Sequence, residues 1–251
     1  MLGGCARMFK TPKEVIEFKN RFAGLYDSRN INVFDPDDSL GFKTYYIHLI
    51  QELVIRRMLS SRTWRFGIDF SCGNGRITTI LADYCENVVG MDIDEFLIGK
   101  AEETSAKKNI SYLSFQPGAY PTLGKKADII ICGAAFHMKA IGDEIPQVIN
   151  YFREIISDDG RIIIVENCVE KSNEIYFSPK DLIKMFEKAG FSTRLYHPIR
   201  KGHTVTTYLV RYGFVRSVER IRKIAENEIV RRAAQKTLGN DYFNFIFEFA
   251  V

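Results

Sequence analysis

A glycine-rich turn between a short apolar strand and a helix is the first feature of the sequence that could carry chemistry. It lies within residues 68–76, which read IDFSCGNGR. Glycine lets the backbone turn sharply and approach a ligand closely. A helix that follows such a turn presents free N–H groups and the positive end of its dipole, which favour an anion. The turn therefore predicts a site for a pyrophosphate or a carboxylate.

The residues around this turn narrow the choice of ligand. The dinucleotide pattern G-x-G-x-x-G would need a glycine where the sequence has Thr78, which disfavours an NAD-dependent oxidoreductase. Asp69 precedes the turn, and Asp92 closes the next predicted strand. An acid in this second position can accept hydrogen bonds from both hydroxyls of a ribose. The alternative role, a cap for the following helix, fits Asp94 better than Asp92.

The full arrangement resembles motif I of the class I S-adenosylmethionine-dependent methyltransferases, and the resemblance covers about residues 65–195. It implies S-adenosyl-L-methionine as the cofactor and S-adenosyl-L-homocysteine as the product. Asp69 would then help to hold the amino group of the cofactor, Asp92 the ribose, and Ile93 would lie beside the adenine. The loop that would wrap the methionine part consists of Ser71, Cys72, Gly73, Asn74, Gly75 and Arg76.

The segment after the third strand departs from this family. Many relatives have Gly-Asp-Ala there, whereas here Ala119 takes the place of the acid. Backbone groups, Gln116 or a stacked Tyr120 could hold the adenine, and the sequence does not choose between them. Ser71 is a milder departure, because the family usually has glycine at that position. The candidates for this end of the site are Gln116, Gly118, Ala119, Tyr120 and, after the fourth strand, Cys132 and Gly133.

Two residues beyond the fourth and fifth predicted strands are candidates for catalysis. The sulfonium methyl group is already electrophilic, so the enzyme mainly has to place a nucleophile in line with it. His137 follows the fourth strand and could take a proton near neutral pH, or it could pack or bind a carbonyl. Glu166 ends the fifth strand and could orient or deprotonate an acceptor, or cap a turn. Tyr26 resembles a segment that closes over the cofactor.

Strands alternate with helices through most of the chain, and their apolar runs lack polar alternation. This pattern predicts an α/β fold with a doubly wound, mostly parallel seven-stranded sheet and helices on both faces. Residues 1–62, with helices at 11–27 and 42–59, are expected to form an N-terminal helical lid. Residues 63–251 would form the Rossmann-like core, with a helical cap insertion at about 200–240 before the last strand.

The C-terminal third contains one ambiguous and two well-marked segments. Residues 203–212 could form a strand. Residues 216–236 read as a charged helix whose mixed signs are typical of a solvated face, with an anionic acceptor or RNA as the alternative contact. Near the end, phenylalanines alternate with Asn244 and Glu248, which is the period of a strand. These phenylalanines are Phe243, Phe245, Phe247 and Phe249.

Composition limits the class of function. The net charge of +4 is too small to predict nucleic-acid binding, and no apolar run is long enough to span a membrane. Five scattered cysteines predict reduced, buried thiols in a cytoplasmic protein rather than disulfides or a metal site. We therefore expect a methyltransferase that acts on O or N of a small-molecule acceptor, as a monomer or homodimer. The alternatives are an RNA or protein methyltransferase using the 216–236 helix and a catalytically silent cofactor-binding protein.

Overall fold

The structure is a computed structural model that describes residues 38, 40–105, 107–136, 144–173, 175–235, 238–239 and 241–251. Tyr26, His137 and the predicted helix at 11–27 lie outside the described residues. The elements are α1 (Phe42–Leu59), β1 (Trp64–Phe70), α2 (Arg76–Leu81), β2 (Cys85–Asp92), α3 (Glu95–Thr104), β3 (Ile110–Ser114), β4 (Ala127–Gly133), α4 (Ile145–Ile155), β5 (Ile156–Cys168), α5 (Pro179–Lys188), β6 (Ser192–Lys201), α6 (Val205–Arg211), α7 (Val218–Ala233) and β7 (Phe243–Ala250).

The strands form one seven-stranded sheet in the order β3-β2-β1-β4-β5-β7-β6. The first five strands are mutually parallel, and β7 is antiparallel to both of its neighbours. Because β6 is antiparallel to β7, it runs in the same direction as β5. The carboxyl ends of β1 to β6 therefore meet at one edge of the sheet. The predicted mostly parallel seven-stranded sheet is confirmed.

Helices cover both faces of this sheet, as predicted. On one face α1, α2 and α7 pack over a cluster that includes Ile129, Ile131 and Ile163. On the other face α4 and α5 pack over a second cluster that includes Ile130 and Ile162. Alternate residues of β4 thus enter different cores, which explains why its sequence is apolar without interruption.

The last strand has the two faces that its alternation predicts. Its phenylalanines join the cluster under α4 and α5, where the rings of Phe249 and Phe186 stack with centroids 4.1 Å apart. Glu248 lies on the opposite face and accepts a hydrogen bond from Arg161 at 2.9 Å. β7 lies between β5 and β6 in the sheet.

The expectation of a strand at 203–212 is wrong, because residues 205–211 form the helix α6. Thr204 caps this helix by accepting a hydrogen bond from the Thr207 amide at 3.0 Å. The buried side chains of Thr207 and Val210 attach it to the core. Cap and packing outweigh the strand preference of its β-branched residues. The sequence RITTILADYC also predicts a helix over residues 76–85, but the helix ends at Leu81 and β2 begins at Cys85.

The sequence predicts a helix that begins at Ser178 and Pro179 and ends at Gly190, and a charged helix with a solvated face at 216–236; the structure contains both helices. Ser178 caps α5, Pro179 is its first residue, and Gly190 follows it with φ +88°. The charged face of α7 is solvated, and the exposed ion pair Lys223–Glu219 spans 3.1 Å along it. No helix among the described residues is long and apolar enough to cross a membrane. The four described cysteines are free and buried.

Candidate functional site

The glycine-rich loop joins β1 to α2 at the carboxyl edge of the sheet. Three of its residues have left-handed backbones, namely Ser71 with φ +62°, Gly73 with φ +55° and Gly75 with φ +80°. The loop is closed by a hydrogen bond from the Gly75 amide to the Cys72 carbonyl at 3.0 Å. The conformation of Ser71 explains why the family usually has glycine at this position, since non-glycine residues are disfavoured there.

Asp92 connects the end of β2 to this loop. Its side chain is 3% exposed, and Oδ2 accepts a hydrogen bond from the Gly73 amide at 2.7 Å. The other oxygen, Oδ1, accepts from the Asp94 amide at 3.0 Å. Asp94 itself caps α3 by accepting from the amides of Phe96 and Leu97, as its alternative role predicted. The acid and the loop therefore form one hydrogen-bonded unit.

Asp69 lies beneath the loop and is almost completely buried. Its Oδ2 accepts a hydrogen bond from the Thr78 hydroxyl at 2.6 Å. Burial disfavours the charged carboxylate and raises the pKa of Asp69 to about 7, although Thr78 and the charge of Arg76 oppose the shift. In the sequence, Thr78 disfavoured a dinucleotide site. In the structure its hydroxyl is the hydrogen-bond donor to Asp69.

Arg76, the last residue of the predicted loop, is held by two side chains of α1. Its Nη1 lies 2.9 Å from His48 Nδ1, and its Nη2 donates to Gln51 Oε1 at 2.7 Å. Burial and the neighbouring guanidinium lower the pKa of His48 to about 4. His48 is therefore neutral at pH 7, so its Nδ1 accepts from Arg76 while its Nε2 faces Glu52 at 3.4 Å.

A chain of amides continues from Arg76 to the end of β5. Gln51 Nε2 donates to Asn244 Oδ1 at 3.2 Å, and Asn244 Nδ2 donates to Asn167 Oδ1 at 3.2 Å. A guanidinium only donates, so Arg76 fixes the orientation of each amide in turn. The Asn167 Nδ2 group consequently points away from Asn244, and no described residue accepts a hydrogen bond from it.

The predicted adenine segment forms an exposed turn next to β2. The Ala119 amide donates to the Gln116 carbonyl at 3.0 Å, and Gly118 has φ +77°. Proline followed by a residue with positive φ is typical of a type II turn. The Phe115 amide donates to the Asp92 carbonyl at 3.2 Å, which places this turn beside the acid. Tyr120 is half-buried and stacks on Tyr151 with ring centroids 4.8 Å apart.

Glu166 is fully buried at the end of β5 and binds backbone on two segments. Oε2 accepts from the Phe136 amide at 2.8 Å, and Oε1 accepts from the Asn167 amide at 2.8 Å. Phe136 belongs to the segment after β4, where Ala134 has φ +57°. The carboxylate therefore ties the segment that precedes His137 to the end of β5.

The remaining predicted residues lie at the same edge of the sheet, apart from Tyr26 and His137, which are not described. Cys132 is fully buried at the end of β4, and burial raises the pKa of its thiol. Gly133 follows it, and Ile93 is half-buried directly after Asp92. Four residues of this region were not predicted from the sequence as parts of the site, namely Tyr112, Gln51, Asn167 and Asn244. Only the fold brings these residues to it, since Gln51 and Asn244 are 193 positions apart.

Replacing Gly75 by alanine tests the packing of the loop. A Cβ atom there would lie 2.4 Å from Tyr112 Oη, and the backbone has φ +80°. We expect the free energy of unfolding in urea to fall by about 2–4 kcal/mol, because left-handed strain and overpacking add. The matched control is Gly190→Ala, where φ is +88° and the nearest atom lies 3.9 Å away. Equal losses in the two variants would show that Tyr112 does not constrain the loop.

Comparison with known proteins identifies the family. A family model described as a methyltransferase domain matches residues 67–211, more than half of the chain. An uncharacterized methyltransferase of Schizosaccharomyces pombe is 23% identical over 154 residues, which are 50% of this chain and 52% of the relative. The chain thus spans about half the length of this curated relative.

Solved structures show the same fold at low sequence identity. The N-methyltransferase NodS from Bradyrhizobium japonicum, in complex with S-adenosylhomocysteine, superposes with a TM-score of 0.57 at 13% identity, over 94% of this chain and 96% of that one. Magnesium protoporphyrin IX methyltransferase from Synechocystis, with bound S-adenosylmethionine, gives 0.52 at 17% identity, over 92% and 89%. By its family match and its strand order, the chain belongs to the methyltransferase domain family, among the class I S-adenosylmethionine-dependent methyltransferases.

Proposed function

We propose that this methyltransferase transfers the methyl group of S-adenosylmethionine to an oxygen or nitrogen of a small-molecule acceptor. The observation that carries the proposal is the 2.7 Å hydrogen bond between Asp92 and Gly73, which makes the acid and the glycine loop one surface at the sheet edge. The name of one solved relative supports a small acceptor, since it specifies magnesium protoporphyrin IX.

The residues of this edge fit the cofactor. S-adenosylmethionine supplies, when bound, a methyl group on a positively charged sulfur. Asp69 is a buried acid whose pKa is raised to about 7, and an ammonium group beside it would stabilise its charged form. Asp92 would accept hydrogen bonds from the ribose hydroxyls. The loop Ser71–Arg76 would surround the methionine part.

The adenine would lie beyond Asp92, toward the exposed turn. Ile93 is half-buried there, and the turn at 116–119 offers backbone groups together with the side chain of Gln116. Tyr120 already stacks on Tyr151, so we assign it to the wall of this region rather than to a free stacking surface. Cys132 and Gly133 would bound the cofactor at the end of β4. We propose Tyr26 as a residue that closes over it.

The acceptor would lie beyond the ends of β4 and β5. We propose His137 as the group that takes a proton from the acceptor and Glu166 as the group that positions the segment before it. Asn167 Nδ2 has no acceptor among the described residues, and its orientation is fixed by the chain of amides from Arg76. We propose that it donates to an oxygen or nitrogen of the acceptor.

The surface of α7 favours a small acceptor over RNA. Its exposed cations are interspersed with Glu219 and Glu226, and the buried Glu228 accepts a hydrogen bond from Arg232 at 2.7 Å and one from Arg231. An RNA-binding helix is expected to present a stripe of one sign instead. Glu219 and Glu226 interrupt the exposed cations of α7, so these cations do not form a continuous basic stripe.

A labelling experiment tests this proposal. Purified protein is incubated with tritiated S-adenosylmethionine in three separate reactions. One contains a small-molecule extract, one contains total RNA and one contains total protein. We expect label in the small-molecule fraction only. Label in RNA or protein would overturn the acceptor class, and binding of S-adenosylhomocysteine without transfer to any fraction would instead indicate a silent cofactor-binding protein.

Replacing Glu166 by glutamine tests its positioning role. The amide would direct its NH₂ group at one of the two backbone N–H groups, so one buried donor would lose its partner. We expect the free energy of unfolding to fall by about 1–3 kcal/mol and methyl transfer to be lost. Calorimetry should show unchanged affinity for S-adenosylhomocysteine. Glu154→Gln, at an exposed position of α4, is the control, and an E166Q variant with full transfer activity would contradict the assignment.

A further inference from the structure

The outward face of α6 is apolar, although it faces solvent. Val205, Tyr208, Leu209 and Tyr212 follow the spacing i, i+3, i+4, i+7, which places them on one side of the helix. Their exposed fractions range from 38% for Tyr208 to 75% for Val205, and Phe214 beyond the helix is 77% exposed. The opposite side of α6 is already buried against the core. A contiguous apolar surface of this kind marks a binding surface.

This surface, the α6 face, lies where the N-terminal part of the chain enters the described structure. A Cβ atom on Gly213, two residues after α6, would be 3.0 Å from Leu40 Cδ1. Asp38 is buried and fixed to the start of α1, because its Oδ2 accepts from the Thr44 amide at 2.8 Å. The described part of the chain therefore begins beside α6.

The sequence of residues 11–27 predicts a matching apolar face upstream of the described structure. Residues 11–27, TPKEVIEFKNRFAGLYD, are predicted to form a capped helix, and their apolar side chains recur at helical spacing. The side chains of this stripe are Val15, Phe18, Phe22 and Leu25. Ten residues, 28–37, connect the segment to Asp38 and span at most about 33–36 Å. This reach is several times the length of α6, which is about 10 Å.

We propose that residues 11–27 dock through this apolar stripe on the α6 face. Two amphipathic surfaces joined by a short connection meet at a high effective concentration, so intramolecular docking is favoured over a partner in solution. α6 follows β6, whose carboxyl end lies at the same sheet edge as the cofactor loop. Docking brings the N-terminal segment to this edge. The packing needs no acceptor, so its test is independent of methyl transfer.

Limited proteolysis tests the docking. Trypsin sites at Lys13, Lys19 and Arg21 lie in the segment, and Val205→Asp places a charge in the α6 face. We expect cleavage at these sites to be at least tenfold faster in V205D than in the wild type, at an unchanged melting temperature. Val230→Asp is the matched control, because Val230 is also a helical valine, is 72% exposed and lies on α7. Equal cleavage rates in V205D and the wild type would overturn the proposal.

A cross-linking experiment tests whether residues 11–27 of the same chain cover the α6 face. In a Cys5→Ser background, Phe18→Cys and Leu209→Cys provide accessible thiols, while the four other cysteines are buried. A short bismaleimide should join the two positions within one chain and give a product of monomer mass. A product of dimer mass would overturn the proposal in favour of a second copy. The protein could instead sediment with phosphatidylglycerol vesicles. If V205D abolishes this sedimentation and leaves the cleavage rate unchanged, the proposal is overturned in favour of a lipid surface.

Discussion

Replacing Asp92 by alanine should weaken the binding of S-adenosylhomocysteine by at least about 100-fold, as measured by calorimetry. Hydrogen bonds to a charged group contribute about 1.5–3 kcal/mol each, and we assign two ribose hydroxyls to this carboxylate. The variant also leaves the Gly73 and Asp94 amides without the oxygens that they bind at 2.7 and 3.0 Å. The loop loses its side-chain hydrogen bond to β2, although the backbone bond from Cys72 to Met91 remains, and the ligand loses an acceptor at the same time.

The neighbouring acid provides the matched control for this prediction. Asp94 caps α3 through the amides of Phe96 and Leu97, so Asp94→Ala should lower the free energy of unfolding by about 1 kcal/mol. Its affinity for S-adenosylhomocysteine should not change. If D92A retains a native circular dichroism spectrum and binds as tightly as the wild type, the ribose assignment is wrong.

The glycine loop and the acid beside it could be located from the sequence because their signals are local. Gly73 and Gly75 lie in one turn, and Asp92 ends the strand that follows the next helix. Each of these positions is set by a backbone requirement or by the end of an apolar run, and both are visible in a short window of sequence. The parallel direction of the first five strands follows from the alternation of strands and helices along the chain.

The support beneath the loop could not be predicted, because it depends on contacts between distant elements. From the sequence, Thr78 could only be used to disfavour a dinucleotide site. The structure shows that its hydroxyl lies 2.6 Å from Asp69 Oδ2. Arg76, Gln51 and Asn244 come from α2, α1 and β7, and only tertiary packing brings their side chains together. No periodicity encodes such a contact.

The error at α6 has a different cause. Val205, Thr206 and Thr207 have high strand propensity, and this local preference favoured a strand. Val205 and Leu209 are also four residues apart, which is a helical spacing. Both side chains are exposed in the structure, so burial in the core does not explain why these positions are apolar. The same two residues carry the proposed docking surface.

The affinity for S-adenosylhomocysteine should rise with pH up to about pH 7 and then level off. Burial raises the pKa of Asp69 to about 7 in the free protein, so below that pH its carboxyl is protonated. The proposed ammonium partner requires the charged form, and binding must therefore release a proton. The dissociation constant should increase about tenfold for each pH unit below 7. His48 does not contribute in this range, because its pKa is lowered to about 4.

Asp69→Asn should remove this pH dependence and weaken binding at every pH, whereas Asp128→Asn should not. Asp128 is also buried, but it accepts from the Arg65 and Phe66 amides at 2.9 and 3.0 Å near the opposite ends of the strands. D128N should therefore lose stability and keep both the affinity and its pH slope. Calorimetry at pH 6, 7 and 8 in buffers of different ionisation enthalpy measures the proton release. A wild-type affinity that is independent of pH would contradict the role of Asp69.

Asp69 should also make the stability of the free protein fall as the pH rises, whereas the affinity for S-adenosylhomocysteine rises. The folded protein holds a proton on Asp69 between pH 3.8 and about 7, where the unfolded chain has lost it, so stability falls as pH rises through this range. The loss is at most about 4 kcal/mol, and D69N should escape it. At pH 8 the free D69N variant should therefore unfold at a higher temperature than the wild type. Saturating S-adenosylhomocysteine should reverse that order, because only the wild type gains a cation beside its buried carboxylate.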